Sequence, residues 1–181
     1  MSTREQIILA INPGTRYLGF AIIKQGKLID WGVSVIEERT LEERLIKAKV
    51  TVSKYFSRYL PGVLVLKALH PALQSSLQKR QDDEFAQWAH ARGCQIIRYS
   101  LRQVKAVLLP RGHTNKQQLA EHIIHQYPEL LHAYRKEQDA LNPYHTRMFE
   151  AVAFAMVADN SVPSISTFPP GRNGAIVTTE Q

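Results

Sequence analysis

The segment Ile7-Ile-Leu-Ala-Ile-Asn12-Pro-Gly-Thr15 is followed closely by a second apolar segment, Gly19-Phe-Ala-Ile-Ile23. An apolar run of this length that ends at Pro-Gly predicts a buried strand followed by a turn. The second run predicts a strand that returns beside the first. Asn12 is the polar residue at the point where the first strand ends, and it is therefore the first candidate for a functional position.

The rest of the chain predicts strands and helices in a recognisable order. Strands are expected over residues 7–12, 17–24, 28–36, 63–66 and 95–99. The spacing of apolar residues predicts helices over about 41–60, 73–92, 100–109, 114–127 and 144–158. Three leading strands, followed by strands that alternate with helices, predict an α/β fold with a mixed sheet of about five strands flanked by helices on both faces.

Side-chain caps mark the start of three of these helices. A Ser or Thr that is followed three residues later by Glu or Gln has the spacing of a capping box, in which each residue's side chain bonds the other's backbone. This pattern predicts helix starts at Thr40, Ser100 and Thr114.

The end of the chain differs in composition from the rest. Beyond Asn160 it is rich in Ser, Thr, Pro and Gly and has no apolar periodicity. Such a segment cannot bury enough apolar surface to order itself. We therefore expect one domain over residues 1–160 and a flexible C-terminal tail over residues 161–181.

The charge of the chain favours a polyanionic partner. Lys and Arg number 23 against 16 Asp and Glu, which gives a formal net charge of +7 at pH 7. Nucleic acid is the commonest partner of such a protein. No apolar run is long enough for a membrane span and the N-terminus is polar, so we expect a cytoplasmic protein without a membrane partner. The single Cys94 excludes a Cys-rich zinc site.

Four segments of the chain carry a resemblance to one family. They are Ile8–Phe20, Tyr99–Lys105, Gly112–Gln118 and Phe149–Ala155. In this order and at these separations, they resemble the RuvC-type Holliday-junction resolvases, which have an RNase H-like fold. The resemblance covers about residues 7–158, and it implies a sheet with the strand and helix order predicted above.

The resemblance also implies a catalytic site that this chain does not keep intact. Such nucleases hold two divalent metals with carboxylates, which activate water and stabilise the leaving oxygen. The positions that match the family's four carboxylates hold Asn12, Lys67, Arg147 and Glu150. Their formal charge changes from about −4 to about +1. We therefore expect no intact catalytic residues, no bound metal and no cofactor, with the ammonium of Lys67 satisfying Glu150.

A further set of residues matches or neighbours family positions close to DNA. Lys105 and Lys116 match positions near the DNA backbone, where a positive charge neutralises phosphate. Neighbouring basic side chains can extend the same patch, and Arg16 lies on the first turn. The expected nucleic-acid-binding residues are Arg16, Arg102, Lys105, Arg111, His113 and Lys116.

These observations predict a RuvC-like protein of DNA recombination that binds branched or structured DNA, as a homodimer, without nuclease activity and without a small-molecule substrate. One alternative is a structure-specific endonuclease that depends on Mg or Mn, with a rearranged or deliberately inactivated site. In that site Glu150 would work with Glu137 or Asp139. The other alternative is a non-catalytic scaffold that binds another protein.

Two other patterns point elsewhere with less support. His122 and His125 lie three residues apart on one predicted helix, which suits a metal, but the sequence offers no third ligand. Pro13-Gly14-Thr15 resembles the phosphate-binding turn of an actin-like ATPase. Such a protein needs two lobes around its nucleotide, and 181 residues are too few for both.

Overall fold

The structure is a computed structural model, and it describes residues 6–111, 115–139 and 144–161. The strands are β1 (Ile7–Asn12), β2 (Tyr17–Lys24), β3 (Lys27–Val35), β4 (Val63–Lys67) and β5 (Gln95–Tyr99). The helices are α1 (Leu41–Tyr59), α2 (Ser76–Ala91), α3 (Leu101–Leu108), α4 (Lys116–Gln126), α5 (Leu131–Asp139) and α6 (Thr146–Ser161). Short 3₁₀ turns occupy Pro71–Leu73 and Pro128–Leu130.

The five strands form one mixed sheet in the order β3-β2-β1-β4-β5. The first three strands pair antiparallel through tight connections, as the predicted hairpin requires. The strands that follow helices, β4 and β5, pair parallel to β1 and to each other. The predicted α/β fold with a mixed five-stranded sheet is therefore confirmed.

The alternation of side chains along the strands separates two cores. In β1, Ile8 and Ala10 join a core with α3, α4 and α6, whereas Leu9 and Ile11 join a core with α1 and α2. Successive residues of a strand point to opposite faces, so a strand that is apolar throughout must be covered on both sides. The continuous apolar runs of β1 and β4 thus explain why helices lie on both faces of the sheet.

The helix starts agree with the capping patterns at two of the three expected positions. The predicted caps at Thr40 and Ser100 are confirmed as complete capping boxes. The cap of α4 is Asn115, which accepts from the backbone N–H of Gln118, so the expected start at Thr114 is one residue early. Asn caps a helix as well as Thr does, and Gln118 completes the box in the shifted register.

Helix α5 was not expected from the sequence. Its nine residues contain few apolar side chains, and no capping side chain precedes the 3₁₀ turn that leads into it. Helix α2 begins at Ser76, after a 3₁₀ turn, rather than near residue 73. Helix α6 continues to Ser161, and the rest of the expected tail lies outside the described residues. Within the described ranges no helix has the length and apolar character needed to cross a membrane.

Gln81 is the polar exception on the buried face of α2. It shares that face with Leu77 and Phe85, it is 0% exposed, and neither polar atom of its amide has a hydrogen-bond partner among the described residues. Leaving a buried amide without partners costs its desolvation free energy. We expect Gln81→Met to raise the free energy of unfolding by about 1–2 kcal/mol in urea denaturation. Gln87→Met, on the exposed side of the same helix, is the control, and an equal or negative effect at Gln81 would contradict this reasoning.

Candidate active site and nucleic-acid interface

The ends of β1 and β4 carry two polar residues to the same place. Ala10 and Val65 face the core beneath α6, and the period of two along each strand places Asn12 and Lys67 on that same face. Because β1 and β4 are parallel neighbours, their carboxyl ends lie at one edge of the sheet. Asn12 and Lys67 therefore meet under the start of α6.

Helix α6 supplies the other two residues of the cluster. Arg147 and Glu150 lie three residues apart, which places them on one side of the helix. The helix can approach β2 closely because position 19 is glycine. A Cβ at Gly19 would lie 2.2 Å from the backbone oxygen of Arg147 and 2.7 Å from the amide nitrogen of Met148. Asn12, Lys67, Arg147 and Glu150 are called the substituted centre below.

One carboxylate oxygen holds two of these residues together. Lys67 Nζ lies 2.8 Å from Glu150 Oε2, and Asn12 Nδ2 donates to the same oxygen at 2.8 Å. The Lys67 side chain is 13% exposed, and Glu150 is 4% exposed. The expected contact between the Lys67 ammonium and Glu150 is therefore confirmed, and it is a buried ion pair that an amide also stabilises.

Arg147 lies beside this pair, and its side chain bonds only to neutral groups among the described residues. Its Nη1 donates to Asn12 Oδ1 at 3.4 Å and to the carbonyl oxygen of Pro13 at 3.5 Å. Its own backbone carbonyl accepts from Asn12 Nδ2 at 3.2 Å. Among the described residues no carboxylate lies within salt-bridge distance of its guanidinium. The positive charge of Arg147 is therefore not balanced within the substituted centre.

The substituted centre has one carboxylate, which is fewer anionic ligands than a pair of divalent metal ions usually takes. Mg²⁺ takes oxygen ligands and is favoured by carboxylate charge. Here one carboxylate oxygen already accepts from Lys67 and Asn12, and the four side chains sum to a formal charge of +1, from two cations and one anion. In the part of the chain that the structure describes, no three His, Cys, Asp or Glu side chains are grouped to hold a metal, His122 and His125 included.

Glu137 was the alternative partner for Glu150, and its carboxylate is already engaged. It accepts from the backbone N–H groups of His145 and Thr146, at 2.8 and 3.2 Å, and so caps the start of α6. Burial lowers the pKa of the His145 imidazole below its usual value, although Glu137 opposes the shift. Glu137 and Glu150 line one cavity of about 200 Å³ between α4, α5 and α6. The side chain of Asp139 lies outside the described residues.

The expected nucleic-acid-binding residues fall into two groups. Arg102 and Lys105 lie on α3, Arg111 follows that helix, and Lys116 begins α4, where it lines the cavity beside Glu150. Arg16, in contrast, lies on the turn between β1 and β2, where it forms an exposed ion pair with Glu37. His113 lies outside the described residues. The structure thus brings Lys116 close to the substituted centre and places Arg16 beside a carboxylate.

Most of the ion pairs among the described residues lie on the α1–α2 side of the sheet. On the side of α1 and α2, four basic residues meet carboxylates, in the pairs Lys47–Glu38, Lys49–Glu84, Arg80–Glu42 and Arg98–Asp82. The exposed Lys54, Arg58 and Lys79 of the same two helices have no carboxylate within salt-bridge distance among the described residues. On α3, α4 and α5 lie exposed basic residues for which the described residues offer no carboxylate within salt-bridge distance, namely Arg102, Arg111, Lys116, Arg135 and Lys136. These five and Lys105 form what we call the α3–α5 surface. Sequence reasoning missed Arg135 and Lys136 because it missed α5.

Comparison with known proteins assigns most of the chain to one family. Residues 8–144 match the family model described as "Crossover junction endodeoxyribonuclease RuvC". The RuvC protein of Baumannia cicadellinicola is 30% identical over 120 residues, a match that covers 62% of this chain and 69% of that protein. The RuvC protein of Hahella chejuensis is 28% identical over 119 residues, with the same coverage.

The family match corrects the expectation about cofactors. The expectation that the protein has no cofactor is wrong, because the matched family consists of crossover junction endodeoxyribonucleases, and these depend on a divalent metal such as Mg²⁺. The family uses a divalent metal ion, whereas the positive charges in the substituted centre of this chain come from the side chains of Lys67 and Arg147. Mg²⁺ is therefore the ion in which any strand cleavage by this protein has to be measured.

Solved structures show the same fold. RuvC of Thermus thermophilus superposes with a TM-score of 0.62 at 18% identity, covering 83% of this chain and 92% of that one. The same protein in complex with a Holliday-junction substrate gives a TM-score of 0.61 at 19% identity, covering 83% and 90%. The resolvase fold agrees with the family match over most of the sequence. The chain belongs to the RuvC family of crossover junction endodeoxyribonucleases.

Proposed function

We propose that this protein binds branched DNA, with four-way junctions as the preferred form, and does not cleave it at the rate of a resolvase. The observation that carries this proposal is the Lys67–Glu150 ion pair at 2.8 Å, which places an ammonium group against the one remaining carboxylate of the substituted centre. A cation at this distance repels a divalent metal and competes for its ligand. Membership of the RuvC family supports the choice of branched DNA.

Cleavage of a four-way junction tests the second half of this proposal. We expect the protein to shift a labelled junction in a binding gel and to leave its strands intact in Mg²⁺ and in Mn²⁺. Cleavage at the rate of a RuvC relative in the same assay would defeat the proposal. The matched variant carries Asn12→Asp, Lys67→Glu and Arg147→Asp, which together return negative charge to the substituted centre, and its cleavage should exceed that of the parent.

The α3–α5 surface supports the first half of the proposal. Its basic side chains lie on the same face of the sheet as the substituted centre, since α3, α4 and α6 share one core. Its five residues other than Lys105 are exposed and have no carboxylate within salt-bridge distance among the described residues, so they can neutralise phosphates and release counterions. The paired basic residues of α1 and α2 offer less, because DNA would have to compete with their carboxylates.

Salt dependence distinguishes these two faces. We expect Arg102→Gln with Lys116→Gln to weaken junction binding and to reduce the slope of log K against log salt concentration by about 0.9 for each lost phosphate contact. Lys49→Gln with Arg80→Gln is the matched control, since it removes the same charge from the α1–α2 side. Fluorescence anisotropy with a labelled junction at several NaCl concentrations measures the affinity and the salt slope. Equal losses of affinity and slope in the two double variants would argue against the α3–α5 surface.

One observation favours an enzyme with a rearranged site as the second candidate. Glu137 on α5 and Glu150 on α6 line the same cavity of about 200 Å³, so two carboxyl-bearing residues border one space. If this site cleaves DNA, Glu137→Gln will abolish the cleavage while leaving junction binding intact. Absence of binding to any DNA at low salt would instead favour the scaffold alternative.

We also propose that the protein acts as a homodimer in the cytoplasm. Exposed apolar side chains on α1 support an interface there, because Leu41, Ile46 and Val50 are 47%, 60% and 46% exposed. Apolar groups of this kind are commonly covered in an assembly. Sedimentation equilibrium gives the mass in solution, and a monomer at micromolar concentration would remove the dimer from the proposal.

A further inference from the structure

We propose that Arg147 is a phosphate-binding residue and that its guanidinium takes a backbone phosphate of DNA at the substituted centre. This inference rests on the proposed function, and it names the ligand of a position where the family has a carboxylate. In a RuvC nuclease the negative carboxylates hold cations at this edge of the sheet. In this chain a side-chain cation takes their place.

The charge of Arg147 is available because Lys67 occupies the nearby carboxylate. Glu150 Oε2 accepts from Lys67 and from Asn12, each at 2.8 Å, so the nearest acid of α6 is already neutralised. Among the residues that the structure describes, Arg147 is left with two neutral acceptors, at 3.4 and 3.5 Å. A guanidinium has five N–H donors, and only one of its nitrogens donates in these two bonds. A half-buried cation in this condition is stabilised by an anion.

The backbone around Arg147 fixes the position of its side chain. Gly19 lets α6 approach the sheet at the Arg147 carbonyl, and that carbonyl accepts from Asn12 Nδ2. Gly14 leaves room beneath the guanidinium, since a Cβ there would lie 3.1 Å from both Arg147 Cζ and Nε. The guanidinium thus lies over the turn between β1 and β2. Its two long hydrogen bonds, to Asn12 and Pro13, are made on the side that faces this turn. A positioned planar fork of this kind suits a phosphate, which it can bind through two parallel hydrogen bonds.

The neighbouring charges favour a phosphate of DNA as the ligand. Lys116 lines the cavity that Glu150 also lines, so the α3–α5 surface reaches the substituted centre. Glu137 on α5 lines the same cavity, and its carboxylate is engaged in capping α6. Arg147 lies three residues before Glu150 on α6, and we place the phosphate that it binds on a strand that follows the α3–α5 surface to this end of the helix. Free phosphate has the same chemistry but makes no use of the rest of the surface.

Junction binding of Arg147 variants tests the proposal. We expect Arg147→Gln to weaken binding of a four-way junction and to reduce the salt slope by about 0.9, the effect of one lost phosphate contact. Arg147→Lys keeps the charge but loses the fork, so we expect it to retain the slope and to bind with intermediate affinity. Arg44→Gln is the matched control, because Arg44 is also half-buried and donates to a carbonyl oxygen, that of Glu38, but lies at α1.

A junction with neutral methylphosphonate linkages locates the contact. At one linkage near the branch point, the loss of affinity that the neutral group causes in the parent should disappear in Arg147→Gln. Unchanged affinity and unchanged slope in folded Arg147→Gln, as judged by circular dichroism, would overturn the inference while leaving the proposed function standing.

Inorganic phosphate provides the second arm, and it does not depend on DNA binding. If the parent binds no junction, the proposed function fails, and a phosphate titration followed by the NMR signal of the Arg147 side-chain N–H then decides the inference. A shift of that signal, not matched at Arg44, would keep the site as one for a free phosphate. No shift would overturn it.

Discussion

Replacing Lys67 with Met is expected to lower the free energy of unfolding by about 3–5 kcal/mol, because it leaves the Glu150 carboxylate buried without its cation. The carboxylate is 4% exposed, and the Asn12 amide that also donates to it carries no charge. Met preserves the length and the apolar part of the lysine side chain. Guanidinium chloride denaturation of both proteins measures the difference.

The double variant identifies the origin of this loss. Lys67→Met with Glu150→Leu removes both charges, and we expect it to recover most of the stability, as replacement of buried ion pairs by apolar residues often does. Lys49→Met breaks the exposed pair with Glu84 and serves as the control, with an expected cost below about 1 kcal/mol. A cost at Lys67 no larger than that at Lys49 would show that the pair is not buried in the way described.

Gly19→Ala is expected to lower the free energy of unfolding by about 3 kcal/mol or more, since it forces a methyl group into the backbone of α6. The added Cβ would lie 2.2 Å from the Arg147 carbonyl oxygen and 2.3 Å from its carbon. Neither atom belongs to a flexible side chain, so the whole helix has to move away from β2. That movement opens the core, because the eleven consecutive residues Met148–Ala158 of α6 are buried.

Gly62 offers the matched control for this substitution. A Cβ at Gly62 meets nothing within 4 Å, and we expect Gly62→Ala to change the stability little. Thermal unfolding followed by circular dichroism compares the two variants. Equal melting temperatures for Gly19→Ala and the parent would show that α6 does not pack on β2 at the distance described here.

The sequence was sufficient to predict those parts of the fold that depend on local pattern. Apolar runs fixed the strands, and the mixed pairing followed from the order of hairpin and crossover connections. The contact between Lys67 and Glu150 was also predictable, because the family resemblance put the two positions together and their charges are opposite. Local sequence pattern and matched family positions were therefore enough to predict the strands, their pairing and the Lys67–Glu150 contact.

The remaining features depend on distances that a sequence does not carry. Arg147 reaches Asn12 and Pro13 because α6 lies close to the sheet at Gly19. The distance between the helix and the sheet depends on packing. In the sequence, Gln81 has the pattern of an ordinary polar helix residue. The burial of its amide is visible only in the folded structure. Helix α5 has few apolar positions and no capping side chain, so its basic residues could not be placed on a surface.

The shared oxygen of Glu150 has an evolutionary consequence. A lone Lys67→Glu change would set a second carboxylate against Glu150 with no cation between them, and a lone Asn12→Asp change would exchange a donor for an acceptor at the same oxygen. Each of these two single changes therefore lowers the stability of the folded state. A chain that acquires an acidic centre at this place would therefore keep its stability best if positions 12 and 67 changed together.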